Sequence, residues 1–81
     1  MKAARSITVE LTEGNARYVI HALRELKDKC VQIVQDENAS EDDVFFHGND
    51  LMETKLVLEE IEKLAIAKFG EKILNFSHKL L

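Results

Sequence analysis

The side chains with the widest chemical range in this sequence are one cysteine and three histidines. Cys30 lies among apolar residues at helical spacing, whereas a reactive thiol needs exposure and a positive neighbourhood that stabilises the thiolate. His21, His47 and His78 are far apart, and no two of them have the spacing of metal ligands. We therefore expect Cys30 to be buried and unreactive, and we expect no zinc site.

Carboxylates are the other candidates, and they form two clusters. In the first, Asp36, Asn38 and Ser40 alternate as in a calcium-binding EF-hand loop. That loop needs glycine at position six and a bidentate glutamate at position twelve, but Glu41 and His47 stand there. The sequence therefore predicts an acidic loop without calcium.

The second cluster contains several glutamates of one predicted helix, with lysines among them. Glu59 and Lys63 are four residues apart, the spacing of an exposed ion pair, whereas acid–base catalysis needs buried carboxylates. The sequence also has no glycine-rich phosphate loop, no nucleophile elbow and no HExxH or CxxC motif. We predict a protein that is not an enzyme and has no catalytic, cofactor-binding or metal-binding residues.

Two elements are predicted in the first half of the chain. Apolar and polar residues alternate over residues 6–11, which predicts a short β-strand with one buried face. Thr12 is a suitable N-cap for a helix over residues 13–35, with Glu13 in its first turn. Steps of three and four residues then separate a set of apolar residues, the pattern of helices packing side by side: Ala16, Val19, Leu23, Leu26, Cys30 and Ile33.

The second half is predicted as a loop and a long helix. Residues 36–49 form an acidic loop and turn, in which residues 44–46 are a brief strand or an apolar plug and residues 47–49 a turn. Asp50 with Glu53 matches a capping box, so the second helix covers residues 50–80. Its apolar stripe shifts near Gly70, which favours a bend or break there over one continuous helix. The predicted fold is mainly α, a long two-helix hairpin with a short N-terminal strand.

The 81 residues are predicted to form a single domain, with a flexible N-terminus at residues 1–5, that associates into a dimer or higher oligomer. One cysteine excludes an internal disulfide, so a second copy is the remaining way to add to a small core. The second helix is longer than the first, and its excess must bend back onto the core or meet another chain. For the second case, we predict an interaction surface formed by Ile66, Phe69, Ile73, Phe76 and Leu80.

Charge and hydropathy bear on which partners the protein binds and on which cell compartment it occupies. The formal net charge is −4, and the chain lacks the strongly basic balance of most nucleic-acid binders. No segment has the pattern of a signal peptide, and no run approaches the ~20 apolar residues of a membrane span. With its single cysteine, the chain is expected in the cytoplasm, with no membrane partner and with nucleic acid as an unfavoured one.

A strand followed by a helix resembles the start of ribbon-helix-helix repressors, whose two chains pair their strands and lay them in the DNA major groove. The resemblance covers about the first quarter of the chain, because those repressors break after a short first helix and this chain does not. It implies a dimeric DNA-binding regulator that uses the strand with Lys2 and Arg5, although outward-facing Glu10 would be repelled by phosphates.

The functional hypothesis that the sequence favours is a non-enzymatic, self-associating protein–protein interaction module, acting as an adaptor, inhibitor or regulatory subunit. The alternatives are the dimeric nucleic-acid-binding regulator and a small enzyme or metal-binding domain without a recognisable site. The sequence identifies neither the partner nor the orientation of the helices in an oligomer.

Overall fold

Two long helices joined by a short connection make up most of residues 5–75, the part of the chain that this computed structural model describes. Helix α1 is Glu13–Val34 and helix α2 is Glu41–Phe69. A 3₁₀ helix, Glu71–Leu74, follows α2. The helices pack against each other, so the predicted helical hairpin is confirmed.

The boundaries of α1 follow from its capping residues. The Thr12 hydroxyl accepts a hydrogen bond from the backbone N–H of Asn15 at 3.1 Å, and Glu13 lies in the first turn, where the helix dipole favours negative charge. The helix ends at Val34, one residue before the predicted end. The capping interpretation of this helix is therefore confirmed.

Helix α2 begins at Glu41, and the predicted start at Asp50 is wrong. The Ser40 hydroxyl accepts a hydrogen bond from the backbone N–H of Asp43 at 3.1 Å, as an N-cap does. The first turn contains three acidic residues, Glu41, Asp42 and Asp43, which the helix dipole stabilises. The same acidic residues that indicated a loop thus form the start of a helix.

This earlier start corrects two further predictions within residues 36–49. Residues 44–46 are helical, neither a strand nor a plug, and residues 47–49 continue the helix without a turn. Gly48 stands inside the helix, where glycine costs about 1 kcal/mol relative to alanine and does not by itself end the element. The connection is short, and in it the Asp36 carboxylate accepts a hydrogen bond from the Asn38 backbone N–H at 2.9 Å.

Residues 6–11 have no regular secondary structure, and no strand occurs anywhere in residues 5–75. A β-strand needs a neighbouring strand for its backbone hydrogen bonds, and the described part of the chain offers none. Ile7 and Val9 are 86% and 61% exposed, whereas Leu11 packs against the core. The predicted strand is therefore unconfirmed, and so is the dimer in which such a strand could find a partner.

The core lies between the N-terminal half of α1 and the C-terminal half of α2, and the chain turns at Gly70 to complete it. Buried members of the core are Ala16 and Ile20 from α1, Leu58 and Ala65 from α2, and Ile73 from the 3₁₀ helix. Gly70 ends α2 with a φ of 91° and a ψ of 166°, a region open essentially to glycine alone. The predicted break near Gly70 is confirmed, and it returns Ile73 to the core.

Arg17 holds the returning segment against α1. Its guanidinium donates hydrogen bonds to the backbone carbonyls of Asn75 at 3.0 Å and Lys72 at 3.3 Å. The Lys72 carbonyl also accepts a hydrogen bond from the Asn75 backbone N–H at 3.0 Å, so the guanidinium adds a second donor to it. Arg17 therefore ties the 3₁₀ helix to the N-terminal half of α1.

Candidate interaction surface

Within residues 5–75, the cysteine and the histidines do not come together in a site. Cys30 is buried, as predicted. His21 is exposed on α1 beside Glu25, and the His47 ring lies 2.9 Å from the Asp43 carbonyl within α2, while His78 lies outside the described residues. Within residues 5–75 no group of three or more His, Cys, Asp or Glu side chains could hold a metal ion. No helix in the same range is long and apolar enough to cross a membrane.

An ion pair between the two helices joins Arg24 of α1 to Glu62 of α2. Glu62 Oε2 lies 2.9 Å from Nε and 2.8 Å from Nη2 of Arg24. This pair lies in an open cleft of about 310 Å³ that Lys27, Lys55 and Glu59 also line. Positive and negative side chains both line the cleft, so their attraction can hold the two helices in register. The cleft therefore lacks the excess of one charge that would attract an ion.

The predicted interaction surface falls mostly on the inside of the hairpin. Ile73 is fully buried in the core, and Ile66 and Phe69 are partly buried against it. Phe76 and Leu80 lie outside the described residues. The alternative in which the excess chain bends back onto the core therefore describes the three residues that can be located.

A different apolar surface lies on α2 outside its packed seam with α1. It consists of large apolar side chains that are between 45% and 68% exposed, and we call it the outer face of α2: Phe45, Phe46, Met52, Leu56, Val57 and Leu64. A hairpin has one internal seam, so each helix can bury one stripe of side chains there. Helix α2 has further large apolar side chains outside this stripe, and they are exposed in the part of the chain that the structure describes.

The outer face has a pair of aromatic rings near one end and an apolar groove near the other. Near the start of α2, Phe45 and Phe46 stack edge to face, with ring centroids 5.4 Å apart. Near its end, Leu64 and Lys68 border an apolar groove of about 390 Å³. The other wall of this groove is the N-terminal segment with Ile7, Val9 and Leu11, and its floor is formed by core residues of the hairpin.

Charge is distributed unevenly along α2. From Glu41 to Thr54 the helix has five carboxylates and no lysine or arginine. From Lys55 to Phe69 it has three carboxylates and three lysines. The first half is therefore strongly acidic and the second half is neutral, so the aromatic pair stands in the acidic half and the groove in the neutral half.

The sequence contained the signal for this surface. Phe46, Val57 and Leu64 are eleven and seven residues apart, close to whole numbers of helical turns, so they share one line on a helix. A helix that begins at Asp50 leaves Phe46 out of that line. Comparison of the chain with known protein families, with curated proteins and with solved structures gives no match.

Proposed function

We propose that this protein is a non-enzymatic interaction module whose outer face of α2 binds a second copy of the chain. The observation that carries the proposal is the exposure of six large apolar side chains along α2, outside its seam with α1. Each such side chain left in water forgoes roughly 1.5–3 kcal/mol of burial. Contiguous exposed patches of this kind mark protein interaction sites.

The composition of the surface supports the proposal. Aromatic residues and methionine are enriched in protein interfaces, and the outer face contains two phenylalanines and one methionine.

The test replaces two anchors of the outer face by a polar residue of good helix propensity. The double variant Phe46→Gln with Leu64→Gln should remain helical by circular dichroism, because both side chains are 59% exposed. Its mass by light scattering should fall from dimer to monomer. Retention of the dimer by this variant would refute the proposed surface.

A matched control comes from α1. Tyr18 and Leu26 are 61% and 45% exposed, and they lie on the other helix. The double variant Tyr18→Gln with Leu26→Gln removes comparable exposed apolar area outside the outer face of α2. It should keep the mass of the unmodified protein, and a loss of association here would move the interface to α1.

A further inference from the structure

We infer that the two copies pair antiparallel through α2, so that Phe46 of each copy lies over the groove of the other. This inference rests on the proposed self-association and adds the orientation and the register. The orientation and the register follow because Phe46 and the groove lie toward opposite ends of the outer face of α2.

The register follows from the positions of Phe46 and of the groove residues along α2. Phe46, Val57, Leu64 and Lys68 share one line along α2, and Val57 is midway between Phe46 and Lys68. A two-fold axis at Val57 therefore brings Phe46 of one copy beside Lys68 and Leu64 of the second copy. Such an interface is isologous, since the same patch serves both copies and closes the assembly as a dimer.

The groove gives the aromatic ring a suitable environment. Leu64 borders it on α2, and Ile7 and Val9 border it on the N-terminal segment, where both are largely exposed in the single chain. A phenylalanine from the second copy covers all three. The arrangement would also bury Ile7, which is 86% exposed in the single chain.

Charge selects the antiparallel orientation over the parallel one. Parallel helices would set the five carboxylates of one acidic half beside the same five of the second copy, and like charges at such distances are unfavourable. Antiparallel helices set the acidic half beside the neutral half. Lys68 then lies within about one helical turn of Asp50 of the second copy.

Cross-linking measures the orientation directly. Asn49 and Ala67 are exposed, lie along the middle of the outer face and are not anchors. Each is replaced by cysteine in a Cys30→Ala background, which removes the chain's only cysteine. A short bismaleimide is then added to each variant alone and to an equimolar mixture in which one variant has a mass tag.

The antiparallel register predicts a cross-link between Cys at 49 and Cys at 67 in the mixture, and little product from either variant alone. At ~1.5 Å rise per residue, the two copies' positions 49 are about 24 Å apart in this register, whereas parallel helices bring them to within about 10 Å. Efficient self-linking of the Asn49→Cys variant would overturn the inference, and so would the absence of a mixed product. Either result would leave the self-association intact if the sample is still dimeric.

A charge exchange tests the same register without cysteine. Lys68→Glu should weaken the dimer about three- to tenfold, because the new carboxylate meets the acidic half of the second copy. Adding Asp50→Lys to the same chain should restore most of the affinity. Parallel pairing would bring the two copies' residues 68 together, so Lys68→Glu would change the affinity of the dimer little. That result would overturn the inference. A failure of Asp50→Lys to restore binding would also overturn it. A monomeric unmodified protein would instead refute the proposed function.

Discussion

At the scale of single residues, two glycines of this chain have opposite consequences for the same helix. Gly48 lies in the interior of α2, where its conformational freedom in the unfolded chain weakens the element. Gly70 stands at a φ of 91°, a conformation that side chains with a Cβ rarely adopt, and it ends the helix. No atom lies within 4 Å of a Cβ built at either position, so only backbone conformation separates them.

Alanine substitution at the two glycines should therefore change stability in opposite directions. We expect Gly70→Ala to lower the free energy of unfolding by about 1–3 kcal/mol, because the backbone must hold alanine in a strained region. We expect Gly48→Ala to raise it by roughly 0.5–1 kcal/mol. Urea unfolding followed by circular dichroism at one fixed protein concentration measures both. Equal effects of the two variants would show that the break after Phe69 does not depend on Gly70.

At the scale of elements, the start of each helix could be predicted only where its N-cap residue could be recognised in the sequence. Thr12 stands between an alternating segment and a long apolar periodicity, so the start of α1 could be recognised from its surroundings. Ser40 caps α2 with the same kind of hydrogen bond, at 3.1 Å. Three acidic residues follow it; in the sequence they suggest a solvated loop, and they equally suit the first turn of a helix.

The remaining differences have physical causes that a local pattern does not contain. Alternation over residues 6–11 indicates a strand, but pairing needs a second strand, and none lies within residues 5–75. Ile66, Phe69 and Ile73 form an apolar stripe that is visible in the sequence. Whether it meets the core or a partner depends on the backbone at Gly70 and on the Arg17 hydrogen bonds, which are tertiary features.

The 3₁₀ helix gives a prediction at this scale, because its one fully buried side chain anchors it. Ile73→Ala should lower the free energy of unfolding by about 2–5 kcal/mol through lost burial and a residual cavity. Ile7→Ala is the matched control, since the same truncation at an 86% exposed position should change the stability of the single chain by less than about 0.5 kcal/mol. Thermal unfolding at a low protein concentration makes the comparison. A negligible effect at Ile73 would place this segment away from the core in solution.

At the scale of the whole molecule, one helical hairpin has more apolar surface than it can enclose. Its internal seam buries one stripe of α2, and the outer face of α2 stays exposed with an aromatic pair at one end and a groove at the other. The acidic half and the neutral half of the same helix complement each other only when two copies run in opposite directions. Self-association is the central claim, because the orientation and the register depend on it.

Sedimentation equilibrium of the unmodified protein tests that claim most directly. Over a concentration series from the low micromolar range upward, we predict a reversible monomer–dimer equilibrium whose mass approaches twice the chain mass of 9.3 kDa. The dimer should persist in high salt, because its main contribution is apolar burial and salt screens only the charge terms. A constant mass of one chain at the highest soluble concentration would contradict the account.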